Sequence, residues 1–257
     1  MYLSLPTAIF LFFAGALGGA LNAVAGGGSF ISFPALLFSG VPPIMANATN
    51  TVALWAGVSA SGGAYRKHLH LSRRVMIPLV VASVIGGVAG AYLLLHTPAQ
   101  TFLRVLPWLM LGATLLFISG SRLARGSRGS LARDASSSKL AVATLFELIV
   151  AVYGGYFGGG MGILNLAMLA ALGMTDIHAM NALKVVLGGI INGIAVITFV
   201  LAGAVAWKQG SVMIAGALCG GYLAAHQAQK LPAAWIRGFV IAVGSAMTAY
   251  FFWKGYH

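Results

Sequence analysis

Apolar runs of about 20 residues recur along this chain from end to end, each long enough to cross a bilayer as a helix. Only 7% of its 257 residues are charged and 60% are hydrophobic. Soluble domains carry about 25% charged residues, so a soluble globular fold is set aside. The expectation is an all-α, polytopic transmembrane bundle. The single cysteine, Cys219, forbids an internal disulfide and says nothing of compartment.

The charge is one-sided: 15 Lys and Arg against 3 Asp and Glu, a net +12. Most of the basic residues fall in two places. One holds Arg66, Lys67, Arg73 and Arg74; the other holds Arg122, Arg125, Arg128, Arg133 and Lys139. The preference for Lys and Arg in cytoplasmic loops accounts for them better than nucleic-acid binding does. The second group lies in a Ser-, Gly- and Arg-rich stretch, SGSRLARGSRGSLARDASSSK, expected to be a mobile cytoplasmic linker over 121–139. It divides a first half, 1–120, from a second, 140–257. No Lys or Arg precedes the apolar run in the first 25 residues, so that run is read as a membrane segment rather than a signal peptide.

One pattern occurs twice. Residues 18–51 read GGALNAVAGGGSFISFPALLFSGVPPIMANATNT, and residues 152–185 read VYGGYFGGGMGILNLAMLAALGMTDIHAMNALKV. Each has a glycine triplet, Gly26-Gly27-Gly28 or Gly158-Gly159-Gly160. Each continues with a short apolar run and a turn, and ends on polar residues inside an apolar helix. Those residues are Asn47, Thr49, Asn50 and Thr51 in the first copy, Asn181 and Lys184 in the second. Glycine costs about 1 kcal/mol in a helix interior, so three in a row break a helix. A break inside a membrane is tolerated where it is buried in protein or lines a cavity. Broken segments at matching places in two repeats point to a transporter's binding site. The competing reading is that the glycines only let helices pack closely. Similarity extends further: Gly-Gly-Tyr-Leu at 220–223 echoes Gly-Ala-Tyr-Leu at 90–93, an offset of about 130 residues. Four or five spans per repeat fit the pattern, with parallel or inverted repeats both open.

The segments LNAVAGGGSFISFPALL and ANATNTVAL resemble the TauE/SafE family of sulfite exporters and sulfonate permeases, and the second copy is similar to that family's second half. The resemblance covers nearly the whole chain. It implies a membrane transporter of small sulfur oxyanions.

The residues fit that chemistry. Lys184 and Glu147 are the two ionisable groups well inside apolar segments, where a charge costs several kcal/mol and usually faces a cavity or a partner. Helices beginning just after Gly28 and Gly160 would offer free N–H groups to an anion. Amides and hydroxyls of Asn and Thr can donate to oxyanion oxygens. The expected substrate-binding set is Asn22, Gly26, Gly27, Gly28, Asn47, Thr49, Asn50, Gly158, Gly159, Gly160, Asn181 and Lys184, with Glu147 available for proton coupling. A Lys184–Glu147 ion pair is the competing use of both charges. No Walker loop, dinucleotide loop, metal-ligand spacing or nucleophile elbow is present, so no enzyme, cofactor or metal is expected. The expected partners are a small anion and the bilayer, with no nucleic acid and with a homo-oligomer left open. A passive anion channel and a carboxylate or other organic-anion permease are the alternatives.

Overall fold

The computed structural model describes residues 3–24, 26–61, 73–123, 137–171, 174, 177–227 and 233–256. Among these the chain is all-α. The first half holds α1 (Leu5–Val24), α2 (Ser29–Phe38), α3 (Pro43–Ser61), α4 (Arg73–His96) and α5 (Ala99–Leu123). The second holds α6 (Ser137–Tyr156), α7 (Met161–Ala171), α8 (Ile177–Leu201), α9 (Trp207–Gln227) and α10 (Ala233–Tyr256). Five helical stretches are long and apolar enough to cross a membrane: Leu5–Ala23, Arg73–His96, Ala99–Ser119, Ser137–Tyr156 and Ala179–Leu201. At 10 and 11 residues, α2 and α7 are too short to do so.

Helix ends follow local chemistry. Gly40, at φ +85°, ends α2, with Val41 N–H bonded to the Leu36 carbonyl. Pro43 then opens α3, where its missing N–H costs nothing. Of the expected linker, residues 124–136 lie outside the described residues. Helix α5 continues to Leu123 and α6 begins at Ser137, because polar residues outside the apolar slab still complete a helical turn. Helix α8 ends at Leu201, and the chain turns over 202–206 into α9. Thr175 and Asp176, read as caps for α8, lie outside the described residues, as do His68 and His70.

Two tight parallel helix pairs organise the packing. In α1·α9, Gly216 lies on the Phe12 carbonyl and Gly220 on that of Ala16, so closely that neither position has space for a Cβ. In α4·α6, Gly90 lies in the same way on the Val152 carbonyl, and a Cβ on Gly86 would stand 2.8 Å from that of Leu148. Gly86 and Gly90 are thus a close-packing face, as their spacing suggests. Helix α3 runs parallel to α9, with Thr49 beside Gly210 and Gly57 beside Ala217. Helix α8 runs parallel to α4, with Gly87 beside Ile191. The antiparallel pair α5·α10 closes one side, with Trp108 bonded to the Tyr256 hydroxyl and Gly244 beside Thr114. Since α1 and α3 point the same way, α2 must run back between them, so α1 and α2 form a hairpin.

Exposure is reversed relative to a soluble protein. Ile9 and Phe13 on α1, Ile77, Val81 and Ile85 on α4, and Leu145 and Ile149 on α6 are exposed. Ser32, Asn47, Thr49, Asn50, Ser83, Glu147 and Asn165 are buried. In water such an apolar exterior would drive aggregation; in lipid it is the solvated face. Among the buried apolar residues, Phe33 of α2 is a hub, with its ring 6.1–6.3 Å from those of Phe102, Phe157 and Phe251.

Gly90→Leu should force α4 off α6. Overpacking of this kind costs about 1–3 kcal/mol or more, so the melting temperature of the detergent-solubilised protein should fall. Gly112→Leu, where no atom lies within 4 Å of an added Cβ, is the control and should leave it unchanged or raised.

Candidate functional site

A cavity of about 260 Å³ lies between the α1–α2 turn, the α6–α7 turn and the crossing of α3 with α8. The end of α1 contributes Asn22, and the first turn contributes Gly26, Gly27 and Ser29. From the second turn come Gly158, Gly160, Met161 and Gly162. Helix α3 lends Thr51, Leu54, Trp55 and Val58; α8 lends Asn181, Lys184, Val185, Gly188, Gly189 and Asn192. These follow the helical repeat of i, i+3, i+4, i+7, so each helix gives one face to the cavity. Trp55 Nε1 donates to the Gly189 carbonyl at 3.1 Å and ties the two helices together where they cross.

The turn between α1 and α2 has a shape that side chains would block. Gly27 sits at φ +106°, and a Cβ there would stand 2.8 Å from Phe117 Cζ and 3.0 Å from Val240 Cγ1. Gly28 lies directly on the Gly18 carbonyl and draws the start of α2 against α1. The first hydrogen bonds of α2 run from Phe30 to Gly27 and from Ile31 and Ser32 to Gly28. Those of α7 run from Met161 to Gly158 and from Ile163 and Leu164 to Gly160. Both half-helices therefore begin at the cavity wall, and the amides of Gly27, Gly28 and Ser29 and of Gly159, Gly160 and Gly162 have no acceptor among the described residues.

Lys184 is the charged group in the lining, and no acidic side chain joins it there. Its aliphatic stem lies over Gly162, with Cδ 3.3 Å from where a Cβ would be. The cation is thus held along the N-terminal turn of α7, where the helix dipole is also positive. No hydrogen-bond or ion-pair partner of its ammonium stands among the described residues. Glu147 is elsewhere, between α6 and α4, accepting a 2.6 Å hydrogen bond from Ser83. The two charges do not pair.

The expected residues divide into two groups. Asn22, Gly26, Gly27, Gly158, Gly160, Asn181 and Lys184 come together at the cavity. Gly28, Asn47, Thr49, Asn50 and Gly159 stand behind it and build the frame. Asn50 accepts from Ser32 Oγ and donates to Ser29 Oγ at 3.1 Å, which ties α3 to the start of α2. Asn47 donates to the Tyr156 carbonyl at 2.9 Å, at the end of α6. Thr49 accepts from the Ala206 N–H at 2.9 Å, in the turn before α9. Gly159 accepts a hydrogen bond from the Tyr153 hydroxyl at its carbonyl. Sequence reasoning put the polar cluster of α3 on the substrate; in the structure Asn47 and Thr49 bond to backbone at the end of α6 and before α9, and Asn50 to the side chains of Ser29 and Ser32. The residues missed were Ser29, Trp55, Gly162 and Asn192, with Thr51 noticed but not placed. Carrying the spacing from Asn181 and Lys184 on by two turns leads to Asn192.

Asn50→Ala removes hydrogen bonds buried in the frame and should destabilise the protein by about 1–3 kcal/mol. Asn192→Ala, at the cavity wall, should change stability by less than about 0.5 kcal/mol. Thermal unfolding of the two variants in detergent checks the distinction between frame and lining.

Comparison with known proteins agrees with this architecture. The profile of the sulfite exporter TauE/SafE family matches residues 11–251. A "Probable membrane transporter protein" of Haemophilus influenzae is 31% identical over 246 residues, covering 93% of this chain and 92% of that protein. "Probable membrane transporter protein YfcA" of Escherichia coli K12 is 28% identical over 249 residues, covering 93% and 87%. "Probable membrane transporter protein ORF9" of a Sinorhizobium species is 26% identical over 241 residues, covering 93% and 89%. No solved structure matches the chain at a significant level. With a family match across nearly its whole length and helices of this length and apolarity, the chain is a multi-pass membrane transporter, not an enzyme, and belongs to the TauE/SafE sulfite exporter family.

Proposed function

We propose that this protein is a secondary transporter, an exporter of small anions such as sulfite, sulfonates or related sulfur oxyanions, which bind between the two hairpins. One observation carries the reading: a partly buried cation and the N-termini of two half-helices face one cavity whose lining holds no acidic group. A buried charge without a partner is strongly unfavourable. A transported anion supplies that partner. At about 4 Å and an effective dielectric of about 20, a unit anion gains about 4 kcal/mol from one cation. Asn22, Ser29, Asn181 and Asn192 offer amide and hydroxyl donors for the remaining oxygens.

The chain is read as two inverted repeats of five helices, each with a glycine-broken hairpin. Helix pairing supports this. Exchanging α1–α5 with α6–α10 turns α1·α9 into α6·α4 and α3·α9 into α8·α4, and leaves α3·α8 and α5·α10 in place. Direction supports it too: α1, α3 and α9 run one way, α4, α6 and α8 the other. The first half then begins at the membrane face where Lys208 opens α9, and the second at the face where Arg74 bonds to Ser137. The latter face carries the basic loops and is assigned to the cytoplasm. On a Cys219→Ala background, Arg74→Cys should react with an impermeant maleimide from the cytoplasmic side alone, and Lys208→Cys from outside alone. Labelling of both from one side would overturn the inverted arrangement.

Lys184→Met keeps length and removes charge. In proteoliposomes it should weaken transport of sulfite, thiosulfate or isethionate by tenfold or more, about 1.4 kcal/mol, in a protein that still elutes as a folded species. Lys184→Arg should restore transport in part, because a planar guanidinium replaces a compact ammonium. Unchanged transport by Lys184→Met would sink the site. Restoration by adding Glu147→Gln would show that Lys184 serves an ion pair instead. Flux at channel rates, with no dependence on a driving gradient, would favour a passive channel.

A further inference from the structure

We propose that Glu147 and Ser83 form a proton-binding site between α6 and α4, separate from the anion cavity, through which a proton gradient drives transport. The proposal rests on the transporter reading above and names its coupling ion.

Glu147 is 0% exposed, as is Ser83. Ser83 Oγ donates to Glu147 Oε1 at 2.6 Å, and Oε2 has no partner. An ionised carboxylate held there by one hydroxyl and no cation is costly, and the neutral acid far less so. Ser83 leaves Oε2 free, so that oxygen takes the proton, and the site passes between carboxylate and carboxylic acid with no other bond made or broken. Among the described residues, the surrounding elements place no competing charge near it. Helix α4 has Arg73, Arg74 and His96 only at its ends. Helix α7 has no titratable group, and α8 turns Lys184 to the cavity. On α6 itself Lys139 lies two turns away in the exposed first turn, while the Tyr153 hydroxyl is bonded to Gly159.

Packing alone does not explain the pair. In the corresponding crossing, α1 on α9, Gly220 meets the Ala16 carbonyl as Gly90 meets that of Val152. Counting back from each contact by the same number of residues, Glu147 corresponds to Leu11 and Ser83 to Met213. Leu11 and Met213 are both fully buried in an apolar core. A parallel glycine crossing of this kind therefore closes without a polar group, and only one of the two carries a carboxyl.

The position suits coupling. Glu147 lies one turn from Ala143 and one turn from Val150 and Ala151, at the join of two apolar clusters. Asn165 of α7 stands at the same join, fully buried, with neither amide atom bonded. Leu183 and Leu187 of α8 belong to the first of these clusters. The helix carrying Lys184 thus has one face in the cavity and the other in the layer of Glu147. A change of charge at Glu147 bears on the same helix that holds the anion.

The test uses the full chain in liposomes. Infrared difference spectra across a pH step should show the C=O stretch of one protonated carboxyl, absent in Glu147→Gln and shifted in Ser83→Ala. An isethionate gradient should move protons, read by a lumenal dye, and a pH gradient should drive isethionate uphill. Isethionate carries no titrating proton of its own in this range. Glu147→Gln should lose both proton movement and uphill flux, retaining exchange only. Glu147→Leu with Ser83→Met installs the apolar pair of the other crossing and should fold while losing the band and the coupling. A wild-type spectrum without the band, or proton movement unaltered in either variant, overturns the proposal. Wild-type protein that moves none of sulfite, thiosulfate or isethionate counts against the transporter reading, and the infrared band still decides whether Glu147 exchanges a proton.

Discussion

The close approach of backbone to backbone in the α1·α9 and α4·α6 pairs is what the rest of the structure depends on. Lipid tails are as apolar as leucine, so helices in a membrane gain little from burying apolar surface against each other. They are held by contact area and by satisfied polar groups. Glycines at 216 and 220, and at 86 and 90, bring carbonyls of the neighbouring helix against bare Cα atoms. These pairs form walls on which α2 and α7 are hung. Gly28 on Gly18 extends the same device to the hairpin itself.

Once the walls are in place, polar groups are sorted into three uses. Some complete the frame, as Asn47, Thr49 and Asn50 do by bonding to Tyr156, Ala206, Ser29 and Ser32. Some face the cavity, as Asn181, Lys184 and Asn192 do. Glu147 does neither. Low dielectric makes each assignment consequential, because an unmet polar group there costs far more than in water. Each frame residue has at least one partner in the protein, whereas the Lys184 ammonium has none among the described residues.

The two charges of the interior are kept apart by the layering of α8. Its Lys184 face looks onto the cavity and its Leu183–Leu187 face packs toward α4 and α6. An ion pair would have neutralised both charges at the cost of their separate availability. Separation leaves each able to change partner, as the proposed anion site and proton site both need.

The sequence by itself determined the solvent of this chain and where α1 and α6 end. Runs of about 20 apolar residues dictate membrane helices, and two glycine triplets dictate where those helices stop, because neither statement needs a distant contact. The family resemblance was legible for the same reason, through segments such as LNAVAGGGSFISFPALL that are local in sequence. Lys184 was legible as well, since a lone cation in an apolar helix is conspicuous wherever the helix goes. Tertiary structure alone decided which side of each polar helix meets the cavity. The spacing of Asn47, Asn50 and Thr51 predicts a shared face, yet Asn47 and Asn50 are drawn to the end of α6 and the start of α2, leaving Thr51 at the lining. Whether Glu147 would meet Lys184 was likewise undecidable from the chain. It turned on which face of α8 packs toward α4 and α6, which is set by contacts between residues far apart in sequence.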